Sequence, residues 1–304
     1  QKDATERAAR DRDRSWSQLR GIGDTTARII GEAVDGAVPE YLARVRASAA
    51  AEVERVGPLL DAVRGETHAH TEASDGSATI EQMAEAARSL GRDYLAITDH
   101  SPNLTVARGL DAGRLREQLT AIAALNERLS GFRVLTGIET DILDDGALDQ
   151  EPALLARLNV VVASVHSKLR MDAEAMTRRM VAAVANPRSD VLGHCTGRLL
   201  GGARGGRPPS SFDAEVVFEA CRRFGKAVEI NSRPERLDPP DELLALASEM
   251  GCVFAIATDA HAPGQLDWSA YGARKALDAG IAADRIVNTW PADRLLDWTA
   301  GHRS

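Results

Sequence analysis

Six of the seven histidines, at positions 68, 70, 100, 166, 194 and 261, close short apolar runs: GETHAH, AITDH, VASVHS, VLGH and ATDAH. Only His302 stands apart from this pattern. Acids accompany them: Asp75 in HTEASDG, Asp259 in TDAH, and Glu139 at the end of RVLTGIE. Neutral imidazoles mixed with carboxylates suit zinc, manganese or iron(II), whereas an all-oxygen set suits magnesium or calcium. His68 and His70, two apart in an extended strand, point to the same side, so one ion can take both. The nine residues exceed what one tetrahedral site uses. Two or three divalent ions, bridged by Glu139, are the economical reading. Ions about 3.5–4 Å apart clamp the attacking and leaving oxygens of a displacement and supply hydroxide at neutral pH. Glu139, Asp259 and His68 are the candidate catalytic residues. A single histidine at a strand end is usually a hydrogen-bonded structural residue, and an HxH triplet arises readily by chance. Asp99, beside His100, is either a carboxylate that orients the ring or a helix cap. Six histidines in one kind of position favour the joint metal reading.

Positioning such a set requires strands whose ends converge. Apolar runs at 62–68, 94–98, 133–138, 160–166, 191–194, 227–231 and 253–258 alternate with helical stretches at 79–89, 112–129, 172–185, 214–224 and 241–249. This alternation predicts βαβ units and a parallel sheet of about seven strands, closed or nearly closed into a barrel. Strand ends at one face of such a barrel bring distant segments together. Residues 1–60 read as a separate small helical segment, with 61–304 as the barrel domain. The stretch GGARGGRPP at 201–209 reads as a loop.

Composition bounds the rest. The 304 residues are 44% hydrophobic and 27% charged, which suits a folded globular chain. No apolar run approaches the ~20 residues of a membrane helix, so no membrane partner is expected. The net charge of −8 argues against broad attraction to nucleic acid, and part of it is expected where ligand carboxylates are counted without their cations. Cys195, Cys221 and Cys252 form neither an even disulfide framework nor a CxxC zinc pattern. Together with an opening QKDATERAARDRDR that has no apolar stretch, they predict a cytoplasmic setting. The absence of an initiator Met suggests a processed chain or a fragment.

In this order, these segments resemble the polymerase and histidinol phosphatase (PHP) family, over about residues 66–290. YLAITDHS, GIETDIL, VASVHS, GHCTGRLLG, EINSRPERLD and the closing TDAH are similar to the branch found at the carboxyl end of bacterial family X DNA polymerases. The resemblance implies an α/β fold, a distorted (β/α)7 barrel, with zinc, manganese or iron at a trinuclear site. It implies that His68, His70, Glu139 and Asp259 hold one ion, Glu139, His166 and His194 a second, and Asp75, His100 and His261 a third. Cys195 departs from the family, where proline commonly follows the histidine. At the N-terminus, LRGIGDTTARII resembles a helix-hairpin-helix motif, in which Gly21 and Gly23 would bring backbone N–H groups to a DNA phosphate; an ordinary helical packing unit is the plainer alternative. Nothing between the hairpin and the barrel offers the paired aspartates of a polymerase.

The expected reaction is hydrolysis of a phosphate ester by a hydroxide bridging the metals, with Lys168, Arg198 and Arg233 holding the remaining phosphate oxygens. A DNA 3′ end is the expected substrate, processed as by a 3′–5′ exonuclease. A small phosphomonoester, of histidinol phosphate or nucleotide type, is the second reading, and a silent module that binds DNA or a partner is the third.

Overall fold

The computed structural model describes residues 15–19, 22–35, 55–201 and 205–303. The chain divides into two units, residues 1–57 and 58–304. In the first, a 3-10 turn at Trp16–Gln18 precedes a helix at Asp24–Val34. Gly23 is its N-cap, with φ −83° and ψ 174°, a backbone conformation open to any residue. Gly21 lies outside the described residues.

In the second unit, seven strands run parallel in chain order: β1 Gly65–Glu66, β2 Tyr94–Ile97, β3 Arg133–Asp141, β4 Val160–Ser164, β5 Val191–Leu192, β6 Ala227–Asn231 and β7 Val253–Ala257. The ring closes just beyond β1 and β7, where Ala69 bridges Ala260 and the His70 N–H donates to Ala260 O at 2.8 Å. This is the (β/α)7 barrel expected from the alternation.

Strand parity explains the interior. Side chains two apart share a face, and Tyr94, Ala96, Leu135, Val160, Val162, Val191, Ala227 and Ala255 form one buried cluster, plugged by Val287, Trp290 and Leu295. Continuing in the same parity toward the carboxyl ends gives His68, Glu139, His166, Glu229 and Asp259. An apolar floor therefore carries a polar mouth on the same strands. Outside the ring, the helix Ile80–Ser89 buries Met83, Ala84 and Ala87 against Leu95, Ile97 and Val134. A capping box of Thr79 and Gln82 fixes its start, and Asp111, Asp172 and Asp213 cap three later helices. Two more helices, Ser269–Asp278 and Ala292–Gly301, lie beyond the segments read as helical from sequence.

Candidate metal centre

All nine expected ligand residues meet at the carboxyl-end mouth. His68 and His70 follow β1, His100 follows β2, Glu139 lies within β3, His166 follows β4, His194 follows β5, and Asp259 and His261 follow β7. Asp75 alone comes from a loop. Glu139 is central and fully buried. Its Oε2 lies 2.9 Å from His100 Nδ1 and 3.3 Å from His68 Nε2, and its Oε1 lies 2.9 Å from His194 Nε2 and 3.2 Å from His166 Nε2. The two oxygens thus face different histidines. Asp259 Oδ1 is 3.2 Å from His70 Nε2, and Asp75 Oδ1 is 3.4 Å from both His100 Nε2 and His261 Nε2.

Three overlapping groups can each converge on a point: His70, Asp75, His100 and His261; His68, His70 and Asp259; and His100, Glu139 and His166. His70 and His100 are shared more widely than the family's implied division, and His194 reaches the cluster through Glu139 Oε1.

Divalent cations fit this donor set. His68 Nε2, His70 Nε2, His100 Nδ1, His166 Nε2, His194 Nε2 and both Glu139 oxygens are buried without a hydrogen-bond partner. Orphaned buried polar atoms are costly and uncommon, and here they converge on shared space. Their charges are mutually dependent. Burial pushes His70 down to about 3, helped by His261 and His100 nearby. Burial also depresses His166, but Glu139 and Asp141 outweigh it and hold the ring at about 9. For Glu139, burial favours the neutral acid, yet His166, His68 and His100 keep it well below the usual carboxylate range. Asp259 is likewise held down against its burial, chiefly by His70 and His68.

Further carboxylates hold the rings. Glu229 Oε2 is 2.6 Å from His68 Nδ1, while its Oε1 accepts from the His194 backbone N–H and from Asn231 Nδ2. Asp141 Oδ1 is 2.5 Å from His166 Nδ1, and His261 Nδ1 donates to its neighbour Asp259 O at 2.8 Å. Each contact fixes a tautomer and turns Nε2 toward the centre. Sequence reasoning named neither Glu229 nor Asp141, although the strand parity that places His68 and Glu139 also places both of them. Asp259 adopts φ +52°, a left-handed conformation that a non-glycine residue holds only when its surroundings enforce it.

The centre opens into a cleft of about 610 Å³ whose rim includes Val106, Leu199, Arg207, Arg233 and Arg236. Arg233 is there as expected. Arg198 and Lys168 are corrections. Arg198 directs its guanidinium to the carbonyls of Arg236 and Leu237, and Lys168 pairs with Asp144 at the exposed surface. Neither borders the cleft. Arg236 does, and sequence reasoning passed over it three residues beyond Arg233 in the EINSRPERLD segment. Its Nε donates to Asp259 Oδ2 at 3.2 Å, and its Nη1 is buried without a partner.

The barrel and its mouth suit a metal-dependent phosphoesterase, the class that the family match supports. The PHP domain matches residues 66–233, and the chain belongs to that family. It is 38% identical over 229 residues to the DNA polymerase/3′-5′ exonuclease PolX of Bacillus subtilis, covering 75% of this chain and 40% of the polymerase. It is 30% identical over 236 residues to a probable phosphatase of Thermoanaerobacter sp., covering 74% of this chain and 89% of that protein. The crystal structure of a Lactococcus lactis histidinol phosphate phosphatase with zinc, L-histidinol and phosphate covers 72% of this chain at 18% identity, with a TM-score of 0.49.

Proposed function

We propose that this phosphoesterase acts at the 3′ end of DNA, as a 3′–5′ exonuclease or end-processing enzyme, with the nine residues above holding two or three zinc, manganese or iron ions. The observation that carries the metal reading is Glu139, whose two unpartnered oxygens face separate histidines. Support for the substrate is the 38% identity to PolX, of which the chain spans only 40%.

Bound divalent ions supply a hydroxide at neutral pH and neutralise charge on the phosphate oxygens. The chain's own residues do the rest. Glu229 and Asp141 orient His68 and His166. Asp259 Oδ1, 3.2 Å from His70 Nε2, faces the space the ions would take, while its Oδ2 aligns Arg236. Arg236 Nη1 and the Arg233 guanidinium take phosphate oxygens, a task suited to a planar fork of donors. Val106, 87% exposed at the cleft's rim, offers an apolar surface to a terminal base. Gly23, at the N-cap of the Asp24–Val34 helix, would add a backbone phosphate contact.

A small phosphomonoester is the second reading, favoured by the 89% coverage of the Thermoanaerobacter phosphatase. The test is a side-by-side assay of the manganese- or zinc-loaded protein on a 3′-labelled oligonucleotide, p-nitrophenyl phosphate and histidinol phosphate. Shortening of the oligonucleotide from its labelled end supports the DNA reading. Turnover of the small esters alone supports the second, and no turnover of any of them overturns both.

A further inference from the structure

Asp75 differs from the other ligands in what holds it. The rest lie in strands or just past their ends. Asp75 sits on the turn Thr71–Gly76 and is the most exposed of the nine, with its side chain 28% accessible. A side chain on a turn has no sheet ladder to fix it, so its position depends on what grips the turn.

The grip is Asp99, a carboxylate only 1% exposed. Its Oδ1 accepts from the Thr71 N–H at 2.7 Å and from Ser74 Oγ at 2.5 Å. Its Oδ2 accepts from Thr71 Oγ1 at 2.6 Å and from Gln118 Nε2 at 2.6 Å. Four donors converge on one side chain, and three belong to the turn. The fourth anchors it to the helix Ala112–Asn126. From outside, Arg108 binds the carbonyls of Glu72 and Ser74, and Arg114 binds that of Ala73. The turn is also wound tightly on itself. Gly76 N–H donates to Thr71 O at 2.9 Å, and a Cβ on Gly76 would come within 2.8 Å of that same carbonyl. Chain continuity extends the effect, because Thr71 follows His70 and Asp99 precedes His100.

We propose that Asp99, braced by Gln118, is a positioning residue that sets the Asp75, His100 and His261 group and thereby the ion this group takes. The proposal rests on the metal reading above. Asp99 touches no ligand atom itself; it acts through the turn. The shape-preserving change Asp99→Asn removes the negative charge from all four of these bonds and one of the two acceptor oxygens, which loosens the grip without removing bulk.

The test is calorimetric titration of the metal-depleted full chain with Mn²⁺, paired with electron paramagnetic resonance to count bound ions. In Asp99→Asn, one ion should bind about 10–100-fold more weakly than in the wild type, the usual cost of losing an outer partner of a metal site. The remaining ions should keep wild-type affinity. A full complement at unchanged affinity overturns the proposal, as does equal weakening of every ion, which marks a general structural role. If Asp99→Asn does not fold, Gln118→Leu removes one of the four bonds, and a loss of roughly 2–10-fold confined to the same ion is the supporting result. An unchanged Gln118→Leu titration then overturns the proposal. A wild-type chain that takes up no Mn²⁺ overturns the metal reading and this proposal together, whereas a failure of Asp99 alone leaves that reading standing.

Discussion

Glu229 is buried between His68 and the His194 backbone, so its loss leaves two metal-facing groups unsupported. Glu229→Gln should weaken metal affinity about 10–100-fold, measured by competition with a fluorescent chelator, with little change in the far-ultraviolet circular dichroism spectrum. Arg236→Ala should lower kcat/KM for every phosphate substrate by roughly 100-fold, the scale of removing one donor to a developing oxyanion. Arg198→Ala should act chiefly on stability, because that guanidinium binds carbonyls. The nine candidate ligands were legible in the sequence because histidine is scarce and its spacing from apolar runs is distinctive. Glu229, Asp141 and Arg236 were not. A carboxylate inside an apolar strand resembles any other acid until the barrel turns it inward, and Arg198 and Arg236 look alike until the loops bearing them are folded.

At the scale of elements, strand parity makes one surface both floor and mouth, so floor and metal centre share their strands. Lys226, 3% exposed at the entry to β6, donates to Ser189 O at 2.7 Å, and burial pushes it down to about 8. Its unfolded value is near 10.5. Between the two values the unfolded chain binds more protons, so this group's contribution to stability rises with pH. From pH 8 to 9 the stability difference between wild type and Lys226→Met should shift by about 1 kcal/mol in favour of wild type, measured by urea denaturation of the metal-loaded proteins. A difference independent of pH contradicts that assignment. Strands such as 227–231 were readable from their apolar runs. The run at 62–68 located β1 but not its bounds, because the strand pairs over only Gly65 and Glu66. The helices Ser269–Asp278 and Ala292–Gly301 were missed because glycine, tryptophan and aspartate interrupt the apolar period in SAYGARKALD and ADRLLDWTAG.

For the molecule as a whole, a DNA contact by the first of the two units is open to test by deletion. Removing residues 1–57 should leave turnover of p-nitrophenyl phosphate unchanged and reduce turnover of the oligonucleotide severalfold if the first unit contacts DNA; equal loss on both substrates contradicts that role. The barrel architecture was legible from alternation alone, since seven apolar runs separated by helical stretches admit few other folds. The substrate was less legible, because the rim that selects it is built from side chains on loops whose paths the sequence pattern does not fix. In the function proposed above, metal held around Glu139 performs the hydrolysis. Its most direct test compares wild type with Glu139→Gln, each stripped of metal and then reloaded with Mn²⁺, by turnover and by bound metal. That role predicts an inactive stripped wild type that recovers on reloading, and a variant that binds fewer ions and turns over at least about 1,000-fold more slowly. Full activity in the stripped wild type, or in the reloaded variant, would contradict it.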